Sequence, residues 1–313
     1  MTHSVNQVAV IGSGLIGRAW AISFARAGHA VRLWSPTPGR CEEALRYIEQ
    51  LLPDLAHNDL LNGLSAAQVR ANMQVCTSLA DAVSSADHVQ ENAPENVVTK
   101  RQLFAELDAL TPAHAVLASS TSDIPASLFT EGLAGAARCV VAHPLNPPYL
   151  MPAVEVVPSK WTSQATIERT ASFMNAVGQS PIVMQREDLG FVTIRLQGAL
   201  MQEAFRIVDS GLASADDVDR AIRDGLALRW SVIGPFETID LNSPNGVREY
   251  VARYQGMYDS LARTHHEVVD WSGPVLEKVA ASRRAALPLE QIAQRQLWRD
   301  RQMMAVAAGR RKA

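Results

Sequence analysis

One histidine and one carboxylate interrupt the apolar stretch VVAHPLNPPYLMPAVEVVP, residues 140–158. His143 closes one β-like run, and Glu155, twelve positions on, sits inside the next. An imidazole with an ordinary pKa of about 6.5 can take a proton from a substrate hydroxyl near neutral pH and return it. For that it needs one fixed tautomer, which a carboxylate on its other ring nitrogen supplies while stabilising the imidazolium. Each residue also has a plainer reading. A histidine at the end of a strand is commonly structural, and a lone glutamate can belong to the exposed face of a strand.

A second constellation lies near the N-terminus. VAVIGSGLIGRAWAISFARAG places Gly12, Gly14 and Gly17 between an apolar β run and a helical pattern that opens with Leu15 and Ile16. Gly12 permits the tight turn, Gly14 lets backbone approach a pyrophosphate, and Gly17 lets helix pack closely on strand. The helix N-terminus attracts the anion. The spacing alone is a weak signal, but between strand and helix at the start of a βαβ pattern it implies a dinucleotide site. The second strand of such a unit ordinarily ends in an acid that takes the ribose hydroxyls. Here it ends LWSPTPGR, with Ser35 at that position, no carboxylate in the segment, and Arg40 close by. NAD is the expected cofactor. NADP is the alternative, because a small hydroxyl beside an arginine can accept a 2′-phosphate.

Groups so far apart in sequence act together only on a scaffold that gathers them. Short β-branched runs at 7–11, 30–34, 88–92, 115–119, 138–143, 153–157 and 181–185 read as strands, and helical patterns at 15–27, 39–52 and 96–110 fall between the early ones. Such alternation indicates βαβ units and a parallel sheet, and runs apolar throughout suit strands covered on both faces. The two strands carrying His143 and Glu155 are expected to meet at the sheet edge, with the prolines between them stiffening the connection. From residue 188 strand signals vanish. Residues 188–211 read as one long helix, Ser214 as the cap of another, and 246–261 and 274–308 as further helices. The fold class expected is α/β: an N-terminal Rossmann-type, mostly parallel sheet domain (1–187) followed by an all-helical C-terminal domain (188–313).

The chain has 313 residues, 47% apolar and 19% charged, with a formal net charge of −3. That length accommodates two cores, and no single-sign field argues for nucleic acid or membrane as a partner. Cys41, Cys76 and Cys139 form no CxxC pair, so neither a metal nor a disulfide framework is expected, and the usage suits a reducing cytoplasm. HHE at 265–267 lacks the spacing that sets two ligands on one helical face. No leader pattern precedes the first strand, and no apolar run has a membrane-spanning length.

GSGLIGRAWA, AHPLNPPYLMPAVEVVP, IGPFETIDLN and the late QLWRD together span nearly the whole chain. With them the sequence resembles the 3-hydroxyacyl-CoA dehydrogenase family, and within it the lambda-crystallin and L-gulonate 3-dehydrogenase branch. The resemblance implies that His143 is the catalytic histidine and Glu155 its partner. Ser122 in ASSTSDIPASLF matches the family's substrate-binding serine; its plainer reading is a cap for the helix near Ile124. Glu95 and Lys100 in ENAPENVVTK match positions that approach the nicotinamide side of the cofactor. A homodimer formed through the helical domain is implied as well.

The sequence also departs from the family pattern. The family's GFxxNRL reads GFVTIRL here, so Ile194 stands where an asparagine would bond substrate or histidine. Thr193 is adjacent, but mid-helix it would point about 100° away. Arg229, before the GPFE motif, resembles the arginine of gulonate and carnitine dehydrogenases. A guanidinium clamps a free carboxylate, which a thioester would not need. The substrate expected is therefore a free 3-hydroxy acid, unless Arg229 pairs with Glu237 or Asp240. Carnitine, with an aromatic face from Trp230, Tyr149 or Tyr254, and a short 3-hydroxyacyl-CoA are the alternatives. A cofactor-binding structural protein, as in lens lambda-crystallin, is the reading from another class.

Overall fold

Among residues 5–312, which the computed structural model describes, eight strands form one sheet. Residues 1–4, part of the stretch expected to run into the first strand, lie outside the described residues. The strands are β1 (Gln7–Ile11), β2 (Ala30–Trp34), β3 (Met73–Val75), β4 (His88–Glu91), β5 (Val116–Ser119), β6 (Cys139–Pro144), β7 (Ala153–Val157) and β8 (Ser180–Val183). Their order is β3-β2-β1-β4-β5-β6-β7-β8. Every pairing is parallel except that of β6 with β7. Helices α1 (Leu15–Arg26) and α2 (Arg40–His57) follow the first two strands.

The composition of β1 follows from what covers it. Val8 and Val10 enter a core with Trp20, Phe24, Leu45 and Ile48, while Ala9 and Ile11 enter another with Phe104, Leu107 and Phe129. A strand buried on both faces has no position for a polar side chain, hence the unbroken apolar run.

Four expectations need correction. β3 was not foreseen, because a three-residue strand is too short to show a period. The pair β6–β7 lies inside the sheet, since β8 flanks β7, so the histidine and carboxylate do not meet at its lateral edge. The helix expected from residue 188 is Thr193–Asp209, because Gly190 and Phe191 take positive φ, 71° and 50°, and break the helical path. The helix expected over 274–308 is two, Pro274–Ala286 and Ile292–Lys312. Leu287 is extended there (φ −150°, ψ 104°), as the residue before Pro288 favours.

The chain divides into two compact units, residues 1–195 with 296–313, and residues 196–295. This differs from a single boundary at 187 and 188. Met304 is fully buried in the core shared by α1 and α2, and Arg301 Nε donates to Asp54 Oδ2 at 2.8 Å, which ties the last helix to the sheet unit. In the second unit Ser214 caps the helix Ala215–Arg220 as expected, in a reciprocal box with Asp217.

Candidate active site

The glycine turn opens onto a cavity of about 730 Å³ lined by Gly12, Gly14, Leu15, Ser35 and Arg40 among others. Each glycine has its own steric reason. Gly12 has φ +89°, and a Cβ there would lie 2.7 Å from the Asn92 carbonyl oxygen. A Cβ on Gly17 would lie 1.8 Å from the Gly12 carbonyl oxygen, so helix and turn touch backbone to backbone. A Cβ on Gly14 would meet nothing within 4 Å, which leaves the approach to the backbone clear. Gly14 also starts α1 without a side-chain cap, and no acid occupies the first turn. Unsatisfied N–H groups at a helix start suit a pyrophosphate, so these residues fit a dinucleotide. Ile16 and Gly17 belong to that first turn behind the lining. Arg18, not singled out from the sequence, lines the same cavity with its guanidinium 3.5 Å above the Tyr47 ring.

Of the Glu95 and Lys100 positions, Lys100 faces inward and Glu95 is exposed, linking Lys100 to the Ser122 segment. Lys100 is 1% exposed, with Nζ 3.0 Å from both Glu91 carboxylate oxygens and 3.5 Å from Glu95 Oε2. Its amine is therefore committed to carboxylates rather than presented to a cofactor. Glu95 Oε1 accepts from the Ser122 N–H at 2.8 Å, the Ser122 hydroxyl at 3.3 Å and the Thr121 hydroxyl. Burial alone would raise the Glu95 carboxyl, but the Thr121 hydroxyl, Lys100 and the Ser122 N–H hold it below its ordinary value. The turn at Ile124 is capped by Thr121, whose Oγ1 accepts the Ile124 N–H at 3.0 Å. Ser122 is thus not that cap.

At the heart of the sheet, antiparallel register sets His143 directly opposite Glu155. His143 Nδ1 donates to Glu155 Oε2 at 2.7 Å, and Glu155 is fully buried. Among the described residues nothing hydrogen-bonds His143 Nε2. The carboxylate is held from its other side by the turn that delays the long helix. Oε1 accepts the N–H groups of Val192 (2.7 Å) and Thr193 (2.8 Å), and Oε2 accepts the Thr193 hydroxyl at 2.7 Å. Burial pushes the Glu155 carboxyl up, and the hydrogen bonds from His143, Thr193 and Val192 outweigh it, leaving the group below its ordinary value. A carboxylate kept ionised against a histidine Nδ1, with Nε2 unpartnered, is an arrangement for moving a proton at Nε2.

Thr193 is the residue that sequence reasoning missed. It is the first residue of its helix, where the angular argument for a mid-helix neighbour does not apply. Ile194, at the family's asparagine position, is partly exposed and contributes no polar group. Behind the site, Gln90 Nε2 donates to the Ala142 carbonyl (3.2 Å) and to Ser120 Oγ (2.8 Å), bracing β4, β5 and β6 against one another.

In the second unit Arg229 sits in the helix Ala227–Trp230, exposed, and among the described residues it forms no ion pair. The expected alternative, pairing with Glu237 or Asp240, does not occur; Asp240 Oδ1 instead accepts the Val247 N–H at 2.8 Å. Tyr149 is 4% exposed and presents no aromatic face to a ligand. No described helix is long and apolar enough to cross a membrane.

Residues 7–188 match the family described as 3-hydroxyacyl-CoA dehydrogenase, NAD binding domain, and residues 190–274 match its C-terminal domain. Lambda-crystallin of Oryctolagus cuniculus is 40% identical over 301 residues, covering 95% of this chain and 94% of its own. L-carnitine dehydrogenase of Streptomyces griseus is 37% identical over 310 residues, covering 98% and 91%. Among solved structures, an NAD+-dependent 5-formyl-3-hydroxy-2-methylpyridine 4-carboxylic acid 5-dehydrogenase superposes with a TM-score of 0.81 at 25% identity, covering 97% of both chains. The 3-hydroxybutyryl-CoA dehydrogenase of Escherichia coli gives 0.66 at 26% identity, covering 83% of this chain and 53% of that one.

Proposed function

Because the chain belongs to the 3-hydroxyacyl-CoA dehydrogenase family, an NAD-dependent group of oxidoreductases, we propose that it oxidises the 3-hydroxyl of a free, L-gulonate-like hydroxy acid and reduces the matching keto acid. NAD, held at the glycine turn, supplies the hydride acceptor. His143 Nε2 takes the hydroxyl proton, and in the reverse direction returns it. Glu155 fixes the tautomer and stabilises the imidazolium. Ser122, tied to Glu95, holds the substrate oxygen. The observation that carries this reading is the 2.7 Å contact between His143 Nδ1 and a fully buried, ionised Glu155, with Nε2 unpartnered.

The substrate class rests on Arg229. A guanidinium without an ion-pair partner is free to clamp a carboxylate bidentately. L-carnitine is the second reading. It carries a carboxylate too, and Trp230, beside Arg229 and 40% exposed, offers a face for a trimethylammonium group. The test is NADH-linked absorbance with a panel of 3-hydroxy acids, carnitine and a short 3-hydroxyacyl-CoA, on the native chain and on Arg229→Met. Arg229→Met is expected to raise KM for the free acid at least about tenfold, the loss of one charge-assisted pair. An unchanged KM removes the free-acid reading. Cofactor binding without turnover of any substrate favours a structural protein of the lambda-crystallin kind.

The working assembly we propose is a homodimer built on the second unit, and the compartment is the cytoplasm. Cys41, Cys76 and Cys139 are all free and buried, which suits a reducing environment.

A further inference from the structure

The acid expected at the end of β2 is absent, yet the cavity wall beside Ser35 is not without a carboxylate. Glu43, in the first turn of α2, lines the same cavity as Ser35 and Arg40. Its Oε2 accepts from Arg40 Nη1 at 2.9 Å. We infer that Glu43 takes over the role of the missing strand-end acid: it accepts from the adenosine ribose hydroxyls of NAD and, by holding Arg40, keeps that guanidinium from reading a 2′-phosphate.

Three observations converge. The ribose site needs an acceptor carrying negative charge, and Ser35 supplies only a hydroxyl. Arg40, the cation expected to read a 2′-phosphate beside Ser35, is already paired with Glu43, and the cavity's other arginine, Arg18, lies over the Tyr47 ring. A 2′-phosphate would then meet the Glu43 charge at short range, whereas ribose hydroxyls would donate to it. Both partners of the pair are well exposed, 61% and 60%, so it contributes little to stability and its selective value lies in ligand choice. The cavity's other acid is Glu106, on the helix Val97–Leu110, a different element from the one beside Ser35.

The test reads binding rather than turnover: dissociation constants for NADH and NADPH from fluorescence titration of the full chain. The native chain is expected to prefer NADH. Glu43→Gln should weaken NADH about tenfold and tighten NADPH about tenfold, reversing or erasing the preference. Adding Arg40→Ala to that variant should abolish the NADPH gain while leaving the NADH loss. Glu106→Gln should move the ratio by less than twofold. The idea is overturned if Glu43→Gln leaves the ratio unchanged, or if Glu106→Gln shifts it instead. A native preference for NADPH overturns it together with the NAD assignment. Circular dichroism checks that each variant is folded, which the exposure of the substituted side chains favours.

Discussion

Residues 5–195 bury a sheet on both faces, with side chains such as Trp20, Phe24, Phe104 and Phe129 sealed from solvent. Residues 196–295 bury only Val208, Thr238, Ser243 and Val275. Over the same hundred residues Leu212, Val232, Phe236 and Val268 are each more than three-quarters exposed. The first unit closes its own core, so the geometry of His143 and Glu155 is set by local backbone register. The second sets only two fully buried apolar side chains, with a set of half-buried ones, against the entropy of ordering its helices. An exposed apolar surface of that kind is what the proposed homodimer would cover. The division separates the two candidate groups: the His143–Glu155 pair sits in a unit with its own closed core, while Arg229, proposed to bind substrate, sits among residues 196–295, whose apolar side chains are largely exposed.

The sharpest way to probe the self-sufficient unit is to remove its chemistry and leave its fold. His143→Ala is expected to lower kcat about a thousandfold, within the range for a general base, while the NADH dissociation constant stays within twofold. A fall of less than tenfold would break the assignment of the proton to His143. For the second unit the lever is concentration. If it is folded only against another copy, the melting temperature should drop with dilution, by several degrees over a hundredfold, and sedimentation should give a dimer. A monomer with a dilution-independent melt would erase the contrast between the units.

How much of this was legible differs between the units for the same reason. Short β-branched runs of strand length announce themselves, so seven of the eight strands were readable and only the three-residue β3 was not. The pairing of His143 with Glu155 was readable as chemistry, and the antiparallel register that achieves it lies in the β6–β7 pair. What was not legible is what turns and ion pairs do. Lys100 reads as a ligand group until its carboxylate partners place it inside. Glu43 is eight residues from Ser35 in sequence, and only the structure shows that the first turn of α2 lines the same cavity. In the second unit helix periodicity was clear, but periodicity does not say which of its apolar positions are covered and which stay exposed.

Thr193 offers the smallest and most specific test, because it separates the two roles of the turn at Gly190 and Phe191. Its hydroxyl is one of four donors that keep Glu155 ionised against the cost of burial. Since the folded-state pKa of Glu155 lies below its ordinary value, the folded protein binds fewer protons than the unfolded chain in the acid range. The stability this contributes is full above the ordinary carboxylate value and is lost as pH falls through the folded value. Thr193→Val removes one donor and moves the folded value back up. At pH 7 it should cost about 2 kcal/mol, the order of a hydrogen bond to a charged group, and the gap to the native chain should narrow as pH drops below about 4. With Glu155 less firmly held, kcat should fall about fivefold with KM little changed, and Thr193→Ser should restore both properties. A loss of the same size at pH 3 and pH 7, unrelieved by serine, would make the Thr193 side chain a packing group, and the hold on Glu155 would then rest on the Val192 and Thr193 N–H groups and the strand register.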